Sequence, residues 1–255
     1  MILAVLQARM SSTRLPGKVV KPILGRPMLM RQIERLQHAT CIDHLIIATS
    51  IETLDSEIEE LCDAENIKCY RGSLDDVLDR IYSAALLFEP EHVIRLTGDC
   101  PLVDPELIDK LVDYYLANEF DYASNTLNPT WPDGLDVEVM KFECLEIAWR
   151  EAKLISEREH VTSYIYNHPK KFNLGSYEND KDLSSLRWTV DESADFDLVN
   201  HIYEKLYSDG VEFSTNDILE LLKNNPDLTH INNGVIRNEG YLESIEKDND
   251  SKSMN

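Results

Sequence analysis

The chain has 255 residues, 43% of them apolar, and carries 25 basic against 47 acidic residues, a formal net charge of −22. This charge works against binding to nucleic acid or an anionic membrane, because its long-range field repels polyanions. No apolar stretch approaches the roughly 20 residues of a membrane span, and the 5 scattered cysteines, without a CxxC pair, indicate neither a disulfide framework nor a zinc site. We therefore expect a cytoplasmic protein.

Short apolar runs alternate with amphipathic helical patterns along the first half of the chain. Strands are predicted at 2–8, 44–50, 67–72, 91–101 (with the loop that follows) and 120–125, and the helices between them begin near Pro27, Ser56, Leu74 and Pro105. This order predicts a doubly wound, mainly parallel α/β sheet covered by helices on both faces. Ligands of such sheets bind beyond the carboxyl ends of the strands, where loops 7–18 and 97–101 lie.

The pattern loosens between about 128 and 180, where an alternating strand, "LDVEV", precedes helices predicted at 142–152 and 156–168. We interpret this region as an insertion in a single domain, 1–230, and as a candidate homodimer interface. Capping boxes are predicted at Ser56-x-x-Glu59 and Ser156-x-x-Glu159.

The alternation of strands and helices resumes with "LRWTVD" at 186–191, a predicted strand that ends in a carboxylate. Helices follow through 198–206 and after Thr215. Residues 231–255 are predicted to form a polar C-terminal tail, and we expect its end, "ESIEKDNDSKSMN" at 243–255, to be disordered.

The loop at 7–18 concentrates basic and hydroxyl side chains, namely Arg9, Ser11, Ser12, Arg14 and Lys18. Cationic groups, hydroxyls and backbone donors are what a phosphate-binding loop needs. The loop is not a Walker A motif, which would require glycine in place of Ser12, and it is not a GxGxxG fingerprint. The alternative is a solvated basic face.

Two aspartates end predicted strands: Asp99 in "LTGDCP" and Asp191 in "RWTVD". Carboxylates acting together with phosphate oxygens suit Mg²⁺. Each aspartate is also a plausible cap of the turn or helix that follows it, so both interpretations remain open from the residues alone.

The segments "QARMSSTRLPGKVVKPILGRPML", "RLTGDCPLVDPELID", "GLDVEV", "REHVTSYIYNHP" and "RWTVDESADFDLV" together resemble the cytidylyltransferases that activate sugar acids. These are the 3-deoxy-manno-octulosonate and acylneuraminate enzymes and, most of all, the spore coat polysaccharide biosynthesis protein F group. The resemblance spans about 2–225. It implies a GT-A-like, Rossmann-like nucleotidyltransferase sheet, a dimer, and Mg²⁺-assisted transfer of CMP from CTP to an anionic sugar acid with release of pyrophosphate.

Carried over residue by residue, the resemblance implies that Arg9, Ser12 and Lys18 hold the triphosphate, with Arg14 as a helper. Asp99 and Asp191 match carboxylates that bind Mg²⁺ in relatives. The predicted catalytic residues are Arg9, Lys18 and Asp99. The predicted nucleotide-binding residues are Leu6, Gln7, Ala8, Arg9, Ser11, Ser12, Arg14, Lys18, Thr97 and Gly98.

Acceptor contacts are expected from the middle of the chain. Asp136 and Glu138 alternate to one face of the predicted strand, although an ordinary half-exposed strand has the same pattern. Because arginine suits the carboxylate of a sugar acid, Arg158 and Arg187 complete the predicted acceptor site. The chain departs from the resembled families at Thr189, where acylneuraminate enzymes have a second aspartate, and at Cys100, where octulosonate enzymes have glutamate.

Three other functions stay open. A sugar-1-phosphate nucleotidyltransferase would have a Gly-rich GxGTR loop, which this chain lacks. A nucleotide-sugar glycosyltransferase would use a DxD metal motif, for which the matches are Asp195-Phe-Asp197 and Asp248-Asn-Asp250. A non-catalytic nucleotide-binding relative would keep the fold without turnover.

Overall fold

Seven strands form the central sheet in the computed structural model, which describes residues 1–208, 213–232 and 239–253. The strands along the chain are β1 (Ile2–Gln7), β2 (Pro22–Ile23), β3 (Arg26–Pro27), β4 (His44–Ser50), β5 (Lys68–Gly72), β6 (His92–Thr97), β7 (Tyr122–Ser124), β8 (Glu138–Lys141) and β9 (Leu174–Ser176). The order across the sheet is β5-β4-β1-β6-β8-β7-β9, and β2 and β3 form a separate two-stranded hairpin.

Helices cover this sheet on both faces. They are α1 (Met28–Leu36), α2 (Ser56–Ala64), α3 (Val77–Leu86), α4 (Pro105–Ala117), α5 (Phe142–Glu151), α6 (Ile155–His160), α7 (Ser163–Tyr166), α8 (Ser193–Leu206), α9 (Thr215–Asn224) and α10 (Glu239–Ser253). The predicted α/β architecture with a mainly parallel sheet is thereby confirmed. In the described part of the chain, no helix is both long and apolar enough to span a bilayer.

The first strand lies at the centre of the parallel half of the sheet, paired with β4 and β6. Its side chains alternate between the two cores: Leu3 and Val5 pack on one face, Ala4 and Leu6 on the other, all 0% exposed. Burial on both faces explains why the sequence here is a continuous apolar run.

The second half of the sheet turns antiparallel at β8, which lies between β6 and β7. The region 128–180, predicted as an insertion, thus contributes β8 and β9 to the main sheet. The predicted strand "LDVEV" overlaps β8 only from Glu138 onward, although Leu135 and Val137 before it are fully buried.

The prediction of a sheet strand at 186–191 is wrong. This segment makes one isolated bridge, Asp133 to Arg187, and crosses the carboxyl edge of the sheet. The Val190 amide donates to the Asp99 carbonyl at 2.8 Å. Trp188, Thr189 and Val190 are all buried, so the crossing segment has the apolar and β-branched residues of a buried strand without being one.

The capping box predicted at Ser56 and Glu59 is also wrong. Both side chains accept hydrogen bonds from Nη1 of Arg71 on β5, at 3.0 and 2.8 Å. The Arg71 guanidinium therefore binds the side-chain oxygens that a capping box would use. A contact between residues that far apart cannot be predicted from the local sequence pattern.

The helix predicted at 156–168 divides into α6 and α7. Glu157, rather than Glu159, accepts from the backbone N–H groups of Lys153 and Leu154 at the start of α6, at 2.9 and 3.1 Å. The break is at Val161, whose φ of +61° is strained for a β-branched residue.

The disorder predicted for 243–255 is wrong up to residue 253, because residues 239–253 form α10, and residues 254–255 lie outside the described ones. The Asp248 carboxylate accepts from the backbone N–H groups of Ile155 and Ser156 at 2.8 and 3.3 Å, so it caps α6. A polar helix that is held by polar contacts has no apolar periodicity from which the sequence could predict it.

Gly134 allows the crossing segment to pass close to the preceding turn. Its φ is +107°, and a Cβ there would lie 2.3 Å from the Thr189 nitrogen. We expect Gly134→Ala to lower the free energy of unfolding by more than about 3 kcal/mol, since backbone strain and overpacking add. Urea denaturation measures this.

Gly25→Ala is the matched control, because Gly25 has a φ of +77° but a Cβ added to it would meet nothing within 4 Å. It should cost only the strain, about 1 kcal/mol. Equal losses in the two variants would contradict the close approach at Gly134.

Candidate active site

The Lys18 side chain lies at the centre of the carboxyl edge of the sheet. Its Nζ donates to Asp99 Oδ2 at 3.1 Å, to Asp191 Oδ1 at 2.9 Å and to the Val190 carbonyl at 2.7 Å. All three ammonium protons are therefore used, and the residue is 7% exposed. The contact joins the first loop of the chain to two segments that follow it by more than 80 residues.

Two glycines bring these segments together. Gly17 has a φ of +68°, and its amide donates to the Met10 carbonyl at 2.9 Å, which closes the loop before Lys18. Gly98, directly after β6, donates to the Gln7 carbonyl at 2.8 Å. A Cβ on Gly98 would lie 3.0 Å from that carbonyl oxygen, so a larger residue would push Asp99 away from the loop.

The electrostatics of this contact keep both partners charged. Burial alone would raise the pKa of Asp99, but the Lys18 ammonium and hydrogen bonds outweigh it and lower the pKa to about 2. Burial alone would lower the pKa of Lys18, and the carboxylates of Asp99 and Asp191 raise it overall.

The pH range of the contact follows from these directions. The stabilisation by Asp99 is present above its ordinary pKa, about 4, and is lost as the pH falls toward 2. The stabilisation by Lys18 is present below its ordinary pKa and is lost only as the pH rises through the raised pKa. The contact is intact throughout the neutral range.

Arg187 holds Asp191 from the other side. Its Nη2 donates to Asp191 Oδ2 at 2.7 Å, its Nη1 to Asp133 at 2.8 Å and its Nε to Asp195 at 3.0 Å. Asp195 is 0% exposed, and its oxygens also accept the backbone N–H groups of Asp191 and Glu192. Arg187 therefore organises the crossing segment and has little capacity left for a ligand.

A cavity of about 430 Å³ opens beside Lys18. Six basic side chains (Arg9, Arg14, Lys18, Arg80, Arg95 and Lys247) line it together with three acidic ones (Asp99, Glu159 and Asp191). We call it the basic cavity. Its local charge is opposite to that of the whole chain, so it suits an anionic ligand.

A second cavity of about 510 Å³ adjoins it and shares Gln7, Arg14, Arg95, Thr97, Asp99, His160 and Asp191. Here three arginines (Arg14, Arg95 and Arg187) face five carboxylates (Asp99, Asp133, Asp136, Glu138 and Asp191). We call it the acidic cavity. Its carboxylates suit ligand hydroxyl groups, which donate hydrogen bonds, and metal cations.

Most of the predicted site residues line these cavities. The basic cavity contains Gln7, Ala8, Arg9, Ser12, Arg14, Lys18, Thr97, Gly98, Asp99 and Asp191, and the acidic cavity contains Asp136, Glu138 and Arg187. Arg9 is exposed at the mouth of the basic cavity, whereas Lys18 is buried in its wall.

Three predicted site residues lie elsewhere. Leu6 is 0% exposed and paired within the sheet. Ser11 lines neither cavity, and in the described structure its hydroxyl is buried without a hydrogen-bond partner. Arg158 lies outside both cavities because Asp76 binds its Nε and Nη2 at 2.9 and 2.6 Å.

Glu138 lines the acidic cavity, but other side chains of the protein already bind its carboxylate. Its carboxylate accepts from Arg95, from the Thr162 hydroxyl and from the Tyr122 hydroxyl, the last at 2.6 Å. It holds the Arg95 guanidinium against Gln7 Oε1, 3.0 Å away. Glu138 therefore supports the wall that the two cavities share.

Several lining residues escaped the sequence analysis. On α3, Arg80 lies on the same face as Val77 and Ile81, so a lone arginine on an apolar helix face was the available signal. From α10 come Tyr241, in the acidic cavity, and Ser244 and Lys247, in the basic one.

Neither DxD match forms a metal motif. Asp195 is buried against Arg187, and Asp248 is the cap of α6. The glycosyltransferase alternative therefore lacks the site on which it depends.

Comparisons with known proteins point to one family. A family model described as cytidylyltransferase matches residues 3–225. A Methanocaldococcus jannaschii protein of uncharacterised function is 39% identical over 244 residues, 95% of this chain and 98% of that protein. The spore coat polysaccharide biosynthesis protein SpsF of Bacillus subtilis is 34% identical over 233 residues, 89% of this chain and 95% of that protein.

Among solved structures, a cytidylyltransferase from Leptospira borgpetersenii is 32% identical and superposes with a TM-score of 0.86, covering 92% of this chain and 98% of that one. The likeness extends over nearly the whole chain at both the sequence and the backbone level.

The structural role of Arg187 gives a prediction. Arg187→Met leaves the Asp195 carboxylate buried without its cation, so we expect the free energy of unfolding to fall by about 3–5 kcal/mol. Arg150→Met, which removes an exposed arginine 3.8 Å from Glu146, should cost less than about 0.5 kcal/mol.

Denaturant titration of both variants measures the difference. A stable Arg187→Met protein with weakened acceptor binding would contradict the structural assignment and restore the role in acceptor recognition.

Proposed function

The chain belongs to the cytidylyltransferase family, and we propose that it transfers CMP from CTP to a hydroxyl group of an anionic sugar acid, releasing pyrophosphate. The observation that carries the proposal is the Lys18 ammonium, which lies between the carboxylates of Asp99 and Asp191 at the wall of the basic cavity. A nucleoside triphosphate carries about four negative charges, and the basic cavity is where this otherwise acidic chain can offset them.

Asp99 and Asp191 also fit a divalent cation. Their oxygens lie within 3.1 Å of one ammonium nitrogen, so the two carboxylates already face a single positive charge. No cluster of three or more metal-ligating side chains occurs among the described residues. Mg²⁺ suits such a sparse site, because it binds one or two carboxylates and takes its other ligands from phosphates and water. When bound, Mg²⁺ would neutralise phosphate oxygens and polarise the phosphorus for attack.

The residues of the chain would act by position and charge. Arg9 and Arg14 would bind phosphate oxygens at the mouth of the basic cavity, and Ser12 would donate from the same loop. Lys18 would exchange a carboxylate for a phosphate oxygen and stabilise the charge that develops on the departing pyrophosphate. This is electrostatic stabilisation, with no covalent intermediate on the protein.

The acceptor would bind in the acidic cavity. Asp136, Thr126 and Tyr166 line it and suit the hydroxyl groups of a sugar. Arg14 lines both cavities, and although it pairs with Asp191 at 3.0 Å, its side chain is 36% exposed against 10% for Arg187. It is therefore a better partner for a sugar-acid carboxylate than Arg187, or than Arg158, which lies outside both cavities. An acceptor held there would present a hydroxyl to the α-phosphorus across the shared wall.

We also propose a cytoplasmic homodimer that serves the synthesis of surface or spore-coat polysaccharide. The name of the Bacillus subtilis relative supports the pathway, and the resemblance to dimeric sugar-acid enzymes supports the assembly. Sedimentation velocity would report the oligomeric state.

The reaction can be tested by measuring pyrophosphate release from each of the four ribonucleoside triphosphates with sugar acids and sugar phosphates. We expect release only with CTP, Mg²⁺ and an acceptor that lacks phosphate, and we expect EDTA to abolish it. Release from UTP with a sugar phosphate would favour the sugar-1-phosphate alternative. Failure with every pair would favour a non-catalytic relative.

Lys18→Ala should lower kcat at least about 100-fold, because it removes the charge that offsets the leaving pyrophosphate. Lys21→Ala is the matched control: Lys21 is three residues away, contacts the Phe196 ring at 4.8 Å and lines neither cavity. Circular dichroism would verify that both variants fold. Turnover near that of the unmodified protein in Lys18→Ala would refute the assigned role.

A further inference from the structure

In the described part of the chain, Arg80 is a buried cation without an acidic partner. It is 2% exposed, and its Nη1 donates to the backbone carbonyls of Ser73 and Leu74 at 2.5 and 3.3 Å. Its Nε is buried without a hydrogen-bond partner. Among the described residues, no carboxylate lies within ion-pair distance of the guanidinium.

The two carboxylates that raise the pKa of Arg80, those of Asp55 and Asp76, are already bound by other groups of the protein. Asp55 accepts from the Met10 and Ser50 amides at 2.7 and 3.1 Å, and Asp76 accepts from Arg158. Burial, together with the positive charges of Arg9 and Arg95, lowers the pKa of Arg80 to about 10. An arginine in these surroundings stays charged at neutral pH, and among the described residues the carboxylates of Asp55 and Asp76 offset its charge only from beyond ion-pair distance.

The position of the guanidinium is fixed. A Cβ on Gly72 would lie 3.0 Å from Arg80 Cγ, so strand β5 packs directly against the arginine stem. Arg80 lines the basic cavity, as does Arg9, which makes no hydrogen bond or ion pair within the described structure. Two guanidinium groups that have no acidic partner within the described structure therefore face one cavity, Arg9 from the first loop and Arg80 from α3.

A buried unbalanced charge is costly, and a ligand of opposite charge recovers that cost on binding. We propose that Arg80, together with Arg9, binds the triphosphate group of the nucleotide, so that α3 supplies a phosphate contact in addition to the first loop. This inference rests on the proposed function for the identity of the nucleotide. The neutral base would offset none of the charge, which is why we assign the contact to phosphate.

Binding of CTP and of inorganic triphosphate to Arg80→Met, measured by isothermal titration calorimetry, tests the proposal. We expect both affinities to fall about 30-fold, the effect of removing one partner of a desolvated charge pair. Cytidine, which has no phosphate, should bind Arg80→Met as it binds the unmodified protein, as measured by ligand-observed NMR. Arg80→Lys keeps the positive charge but not the several N–H donors of the guanidinium, so its affinities for CTP and inorganic triphosphate should fall less than those of Arg80→Met.

Arg31→Met is the matched control. Arg31 is also buried and donates to two backbone carbonyls, those of Ile23 and Leu24 at 3.1 Å each, but it lines neither cavity. It should bind CTP and inorganic triphosphate with unchanged affinity. If Arg80→Met does not fold, Arg80→Lys carries the same comparison.

Unchanged affinity of both Arg80 variants for inorganic triphosphate would overturn the proposal. An equal loss for cytidine and CTP would also overturn it, because the contact would then be with the base or ribose. If the unmodified protein bound inorganic triphosphate but not CTP, the proposed function would fail, while the comparison between Arg80→Met and Arg31→Met would still decide the role of Arg80.

Discussion

The structure depends on one shared contact, the Lys18 ammonium between the carboxylates of Asp99 and Asp191. It joins the first loop, the end of β6 and the segment that crosses the carboxyl edge, which are far apart in the sequence. Arg187 supports it by holding Asp191 and the fully buried Asp195. Because the Asp99 pKa is about 2 and the Lys18 pKa is raised, Asp99 and Lys18 both stay charged throughout the neutral range.

This contact also separates two regions of opposite charge. Basic side chains prevail on one side of Asp99 and Asp191 and carboxylates on the other, although the chain as a whole has a net charge of −22. A polyanionic donor and a hydroxyl-rich acceptor would each find complementary groups, and would meet at the wall that the two cavities share. The repulsive field of the whole chain then opposes polyanions that do not fit the basic cavity.

The sequence predicted the sheet well because its parallel strands are buried on both faces and give continuous apolar runs. It failed at 186–191, where the burial of Trp188 and Val190 imitates a strand, and at α10, whose contacts through Asp248 and Ser244 are polar. The first loop, Asp99 and Asp191 could be proposed as one site because basic, hydroxyl and carboxylate residues at strand ends are typical of phosphate and metal binding, and the structure brings them together. Arg80 and Arg95 were not predicted, since each is a single arginine in an apolar segment. The partners of Arg95, Gln7 and Glu138, are distant in the sequence, and Arg80 donates to backbone carbonyls, which no residue type reveals.

Helix α10 contributes to the candidate site from outside the central sheet. It borders both cavities through Tyr241, Ser244 and Lys247, yet it is anchored mainly to α6 and takes no part in the central sheet. Tyr241 borders the acidic cavity, whereas Ser244 and Lys247, about one turn further along, border the basic cavity, so one helix reaches both. Under the proposed function, a substitution at Tyr241 would alter the acceptor side and one at Lys247 the nucleotide side, while Lys18, Asp99 and Asp191 at the sheet edge would stay unchanged.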